Sequence, residues 1–225
     1  MENEDLLYIE DDDQRKLFYR FTPASLISNF VPLIVILDDE RSDILEGVEY
    51  KMWNILTPLV HLEKDESTSC WLGEKGDFYL KDLLQELIRE ISEAYECEDH
   101  IYLYGRSIGG YGAILHGIIC KANALYAYAP QIRLQETNTT DIAIDEKEND
   151  LTNFLNARDT FPVFYLCDDA ISMGNPPEDE TAYFANSCRI YGINVHLDFC
   201  AKDENDERQH LKTVLDFFER VASEG

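Results

Sequence analysis

Gly105-Arg106-Ser107-Ile108-Gly109 is the segment of this chain whose residue types and spacing could carry chemistry. A serine hydroxyl is a weak nucleophile until a base takes its proton and the backbone presents it to a substrate. Here Ile101-Tyr-Leu-Tyr104, rich in β-formers, precedes the serine, and the helix-compatible run Ile108–Lys121 follows it. A sharp strand-to-helix turn in that context strains the serine and lifts its hydroxyl to the top of a sheet. Side chains at Gly105 or Gly109 would collide with neighbouring backbone, while Gly110, Gly112 and Ala113 let the helix pack close to the sheet. The helix N-terminus aims backbone N–H groups, that of Ile108 first, at developing negative charge. Neither the G-x-G-x-x-G spacing of a dinucleotide turn nor a Walker lysine is present, so the nucleophile reading stands ahead of a phosphate-binding turn.

Such a serine needs a base, and the chain has five histidines. His61 ends a strand-like run, His100 precedes the strand leading to Ser107, His116 lies in the following helix, and His196 falls mid-strand. His210 follows the last strand and the polar loop Ala201–Gln209, at or just inside the final helix. In a parallel sheet that loop folds back over the carboxyl ends of the strands, where the serine waits, so His210 is the expected base. The orienting carboxylate should follow the penultimate strand. Asp168 and Asp169, just past Phe161–Cys167, and Asp179, at the start of the next helix, compete for it. Distance from the strand favours Asp169. The second oxyanion donor should be a backbone N–H in the turn Asp38-Asp39-Glu40-Arg41, taken here as that of Asp39; its carboxylates must point away from the oxyanion.

These groups need a scaffold. Apolar strand-like runs at Leu33–Leu37, Ile55–Leu62, Ile101–Tyr104, Ala124–Ala129, Phe161–Cys167 and Ile193–Phe199 alternate with helical ones, the pattern of a mainly parallel sheet covered on both faces. Leu6–Ile9 and Leu17–Phe21 suit an antiparallel opening pair. Leu80, Leu83, Leu84, Leu87, Ile88 and Ile91 recur at helical spacing, as do Leu211, Val214, Leu215, Phe218 and Val221. The polar stretch Gln131–Thr160, with one short helix expected around Asp150–Ala157, is too short for a separate cap, which predicts an open cleft. No repeat or linker divides residues 1–225, so one α/β domain is expected.

Composition narrows the partners. Forty-five acidic against 19 basic residues give a net charge of −26, which repels phosphate backbones and anionic lipid, so neither nucleic acid nor membrane is an expected partner. No apolar run approaches a membrane span. The acidic opening Met-Glu-Asn-Glu-Asp is unlike a secretory signal, and a cytoplasmic location is the expectation. The six cysteines show no C-x-x-C pair, and their spacing supports neither zinc nor a disulfide framework.

Gly-Arg-Ser107-Ile-Gly-Gly-Tyr-Gly-Ala-Ile resembles the G-x-S-x-G-G-Y-x-A-L elbow of small bacterial esterase-type α/β-hydrolases. Ser69-Cys-Trp71-Leu-Gly73 and Ala129-Pro130-Gln131 are similar to stretches of the same group, which includes proteins of surface-polysaccharide and accessory-secretion clusters. The resemblance runs from about Leu33 to the C-terminus. It implies the α/β-hydrolase fold without a large cap, no cofactor or metal, and an acid opening the helix after the penultimate strand, which selects Asp179. The connection to Asp179 is longer than usual, with Met-Gly-Asn-Pro-Pro (173–177) inserted. The implied activity is hydrolysis of a carboxylic ester through an acyl-enzyme, on a small-molecule or glycan acyl ester. The alternatives are acyl transfer or deacylation on a glycan, and an inactive binding protein that kept the fold.

Overall fold

A computed structural model gives the fold and describes residues 6–25, 31–37, 52–59, 71–73, 77–134, 147–169, 180–200 and 207–224. The strands are β1 (Leu7–Glu10), β2 (Lys16–Thr22), β3 (Leu33–Leu37), β4 (Asn54–Leu59), β5 (Ile101–Arg106), β6 (Ala124–Tyr128), β7 (Val163–Asp169) and β8 (Val195–Cys200). The helices are α1 (Tyr79–Ala94), α2 (Ile108–Ile119), α3 (Glu180–Ile190) and α4 (Glu207–Glu224). All eight strands join one sheet in the order β1-β2-β4-β3-β5-β6-β7-β8. β2 runs antiparallel to β1 and β4, as the opening pair suggested, and every later pairing is parallel.

Period-two alternation sends successive side chains to opposite faces, so strands buried on both sides need apolar residues throughout. Leu33, Val35, Leu37, Leu103, Leu125, Phe164 and Leu166 enter one core with the apolar stripes of α1, α2 and α3. Ile34, Ile36, Tyr102, Tyr104, Tyr126 and Cys167 enter a second core under α4. In that second layer Tyr102 stacks aslant on Phe218 at 4.9 Å and meets Trp53 edge-on at 5.4 Å. Each large side chain so buried stabilises the fold by about 1.5–3 kcal/mol relative to leaving it exposed.

Three local expectations are corrected. Asp168 and Asp169 do not follow the penultimate strand but are its last two residues, paired with Phe199 and Cys200 of β8. In place of a short helix around 150–157 there is a single 3-10 turn, Leu151–Phe154, capped by Asp150. Asn156 Oδ1 then accepts from the N–H groups of Arg158 and Asp159 at 2.9 and 3.0 Å, giving the backbone a turn instead of more helix. Cys167 is disulfide-bonded, which sequence spacing could not show because a disulfide depends on nearness in space. Cys97, Cys120 and Cys188 are free. Among the described residues no helix is long and apolar enough to cross a membrane.

Candidate active site

The strand order locates the site. From β4 the chain returns through α1, passes over β3, and enters β5, after which each new strand is added on the far side. Strand order therefore reverses between β3 and β5, and open α/β sheets bind ligands at the carboxyl ends of strands flanking such a switch. Ser107 stands there, directly after β5, and Leu37, where β3 ends, pairs with Gly105. The chain thus leaves β3 beside the elbow. Asp39 lies just beyond, outside the described residues.

Ser107 is exposed and has φ 53° and ψ −117°. Steric conflict keeps L-residues out of this region unless the surroundings hold them there, at a cost of about 1–3 kcal/mol. The surroundings are specific. Ser107 N–H donates to Tyr128 O at 2.9 Å, and Ser107 O accepts from Gln131 N–H and Tyr111 N–H, both at 3.2 Å. A Cβ on Gly105 would overlap the Gly109 carbonyl, and one on Gly110 would sit 2.9 Å from Pro130 Cβ. Gly105 and Gly110 are therefore fixed by the turn itself. Gly112 has another cause: a Cβ there would lie 2.6 Å from the Trp71 ring, so it admits that indole rather than the sheet.

α2 is buried almost all round, and its side chains pin it to its neighbours. The Tyr111 hydroxyl donates to Glu148 O at 2.8 Å, and Lys81 of α1 meets the buried Glu148 carboxylate at 3.0 Å. His116 is fully buried; Gln85 Nε2 lies 2.7 Å from its Nδ1, and Trp71 O lies 3.0 Å from its Nε2. A Gln Nε2 only donates and a carbonyl only accepts, so Nδ1 is the acceptor and Nε2 carries the proton. Burial pushes this imidazole down to about 4. It is a neutral strut, not a base for Ser107. At the helix start, the N–H of Ile108 has no i−4 partner within α2 and is available to an oxyanion.

Two more histidines are placed far away. His100 precedes β5, whose six residues span ~20 Å before Ser107. His196 is level, through Tyr165 and Tyr126, with Tyr104, and lies three strands from β5, ~14 Å across. Both line a groove of about 700 Å³ with Tyr165, Asn194, Phe217 and Arg220, at the amino ends of the strands. That groove is not the serine site. Its position orients α4, however. Phe217, Arg220 and Val221 of α4 line the groove, so the helix runs antiparallel to the strands and its first turn, with His210, lies toward their carboxyl ends. The seven residues from Phe217 back to His210 cover ~10 Å along the helix. The helix begins at Glu207, so His210 sits just inside it and residues 207–209 belong to the helix rather than to the preceding loop. His61 is outside the described residues.

The acid candidates divide along β7. Tyr128 of β6 pairs with both Arg106 and Cys167, so Asp168 is level with Ser107 and Asp169 one residue beyond, two strands or ~10 Å across. Asp168 alternates with Cys167 and so shares the face of Leu166, away from α4. The backbone of Asp169 ends the strand. Asp179 lies outside the described residues, immediately before α3. Among the described residues, burial raises the thiols of Cys97 to about 11 and of Cys120 and Cys188 to about 12, so none of these three competes as a thiolate nucleophile.

Solved structures decide the fold. An S-formylglutathione hydrolase from Agrobacterium tumefaciens superposes with a TM-score of 0.70, covering 96% of this chain and 94% of its own at 12% identity. The chain has the α/β-hydrolase fold. A ferulic acid esterase matches with a TM-score of 0.69 at 17% identity, over 96% of this chain and 97% of its own. A fluorophosphonate-binding serine hydrolase of Staphylococcus aureus matches with a TM-score of 0.64 at 12% identity, over 95% and 96% of the two chains. No family model and no curated protein matches the sequence.

Proposed function

We propose that this α/β-hydrolase-fold chain is a serine esterase that cleaves a carboxylic ester, small-molecule or glycan-borne, through an acyl-enzyme. The observation that carries the reading is the backbone of Ser107: exposed, at φ 53° and ψ −117°, at the switch point of the sheet. An attacking serine needs a backbone that holds its hydroxyl exposed at this point of the sheet. His210 takes the Ser107 proton as Oγ adds to the carbonyl carbon, then returns it to the leaving alcohol. Ile108 N–H and the backbone N–H of Asp39 hold the oxyanion, and Asp179, with Asp169 in reserve, orients the imidazole. Water enters by the same route in reverse and releases the acid.

Support comes from elimination as well. Among the described histidines, His100, His116 and His196 are placed away from the serine or fully engaged, while the first turn of α4 lies at its end of the sheet; His61 is outside the described residues. The similar structures include esterases and a protein described as fluorophosphonate-binding. Intact-mass measurement after fluorophosphonate treatment tests the reading without knowledge of the substrate. One phosphonyl increment is expected on the native chain and none on Ser107→Ala. An increment that survives in the alanine variant, or a native chain that never labels, overturns the assignment.

A further inference from the structure

We propose that Glu180 is a positioning residue for Ser107, acting through the turn that follows β6; this rests on the nucleophile reading above. Glu180 opens α3, and its Oε2 accepts from the N–H groups of Ile132 at 3.1 Å and Arg133 at 3.3 Å. The residue before these, Gln131, donates its N–H to Ser107 O, and Tyr128, three residues earlier, accepts the Ser107 N–H. The turn that Glu180 holds therefore grips the serine carbonyl through Gln131, and it leaves β6 at Tyr128, the residue that accepts the serine N–H.

A carboxylate in the first turn of a helix is ordinarily explained by the helix dipole and its own unsatisfied N–H groups. Here the carboxylate instead serves two consecutive amides 47 and 48 residues upstream. Hydrogen bonds to an ionised acceptor are roughly twice as strong as neutral ones. The same turn touches α3 a second time, where the Arg133 guanidinium lies 4.2 Å over the Tyr183 ring and is held by Asp150 at 3.0 Å. Ala129, at φ 41°, starts this turn in a left-handed conformation that an untethered alanine avoids. Without Glu180 the two amides lose their acceptor, the turn relaxes, and the Gln131–Ser107 bond that helps keep the serine strained goes with it.

The test compares the full-length native chain with Glu180→Ala and Glu180→Gln, using amide hydrogen exchange and fluorophosphonate inactivation kinetics. In Glu180→Ala the amides of Gln131, Ile132 and Arg133 should exchange faster, and the maximal inactivation rate should fall roughly 10- to 100-fold, as small misplacements of reacting groups do. The inhibitor's binding constant should change little, and the melting temperature should fall by several degrees with the chain still folded at the assay temperature. Glu180→Gln keeps a carbonyl oxygen that can accept both bonds and should retain most of the protection and rate. Native exchange at these amides in Glu180→Ala overturns the inference, as does a folded Glu180→Ala that inactivates at the native rate. If the native chain does not label, the nucleophile reading fails, and exchange alone decides whether Glu180 holds the turn.

Discussion

The amino ends of β5–β8 hold a groove of about 700 Å³ with two imidazoles and a guanidinium, whereas the elbow at the carboxyl end of β5 presents an exposed hydroxyl on a backbone that relaxed L-residues avoid. Among the described residues the groove gathers several polar side chains. Its polar groups, however, hold the fold together. Asn123 accepts from Ile101 N–H and donates to Asp99 O, both at 2.8 Å, and the Tyr165 hydroxyl donates to Asp198 at 3.1 Å. At the carboxyl ends the hydrogen bonds do something else: they hold Ser107 in a conformation it would otherwise leave. The proposed reactivity thus lies where structure opposes local preference.

This contrast can be broken most decisively at the histidines. His210→Ala should lower ester turnover by roughly 10⁴- to 10⁶-fold, as loss of a triad base does, while His196→Ala in the groove leaves turnover within a few-fold. Steady-state rates on a nitrophenyl acyl ester distinguish them, and activity should rise with pH as the base loses its proton. A crippled His196 variant beside an active His210 variant would reverse the assignment of the two ends. Next in size is the acid. Asp179→Asn should cost roughly 10⁴-fold with the fold preserved, and Asp168→Asn should be mild. A crippling Asp169→Asn beside a mild Asp179→Asn would move the acid to the end of β7.

Two further expectations concern what supports the elbow. Gly112→Ala forces a methyl group against the Trp71 indole and should destabilise the chain by about 1–3 kcal/mol, read by denaturant titration. An unchanged midpoint would mean that the indole is not seated there. His116 supplies the smaller, pH-dependent effect. The unfolded imidazole protonates near 6.5 and the buried one near 4, so between those values the unfolded state binds more protons. Its contribution is complete above roughly pH 6.5 and declines as the pH falls toward 4, by about 2 kcal/mol at pH 5. His116→Gln, measured at pH 7.5 and pH 5, should flatten that part of the stability profile.

Much of the scaffold was legible because its signals are local. Leu33–Leu37 reads as a buried strand from its unbroken apolar run, and the stripe from Leu80 to Ile91 reads as a helix from its period. Ser107 was legible because glycine spacing, strand and helix all fall within a dozen residues. What escaped depends on distant parts meeting. Gly112 looked like a residue for helix–sheet packing because nothing in its neighbourhood names Trp71. Glu180 carried no signal of its own because the amides it serves lie 47 and 48 residues upstream. The strand residues Asp168 and Asp169 were read as loop because consecutive carboxylates are poor strand formers, and only pairing with β8 extends the strand through them.

The left-handed backbone of Ser107 also bears on descent. Glycine meets no steric penalty at φ 53° and ψ −117°, so Ser107→Gly should melt several degrees higher than the native chain if it recovers about 1–2 kcal/mol. Once the hydroxyl had no task, mutational drift would have a stabilising exit at this codon, and most other random changes would be downhill. A lineage that had abandoned catalysis would be expected to take that exit early. Under the proposed mechanism, serine is kept at this position for its side chain, at the expense of the chain's own stability.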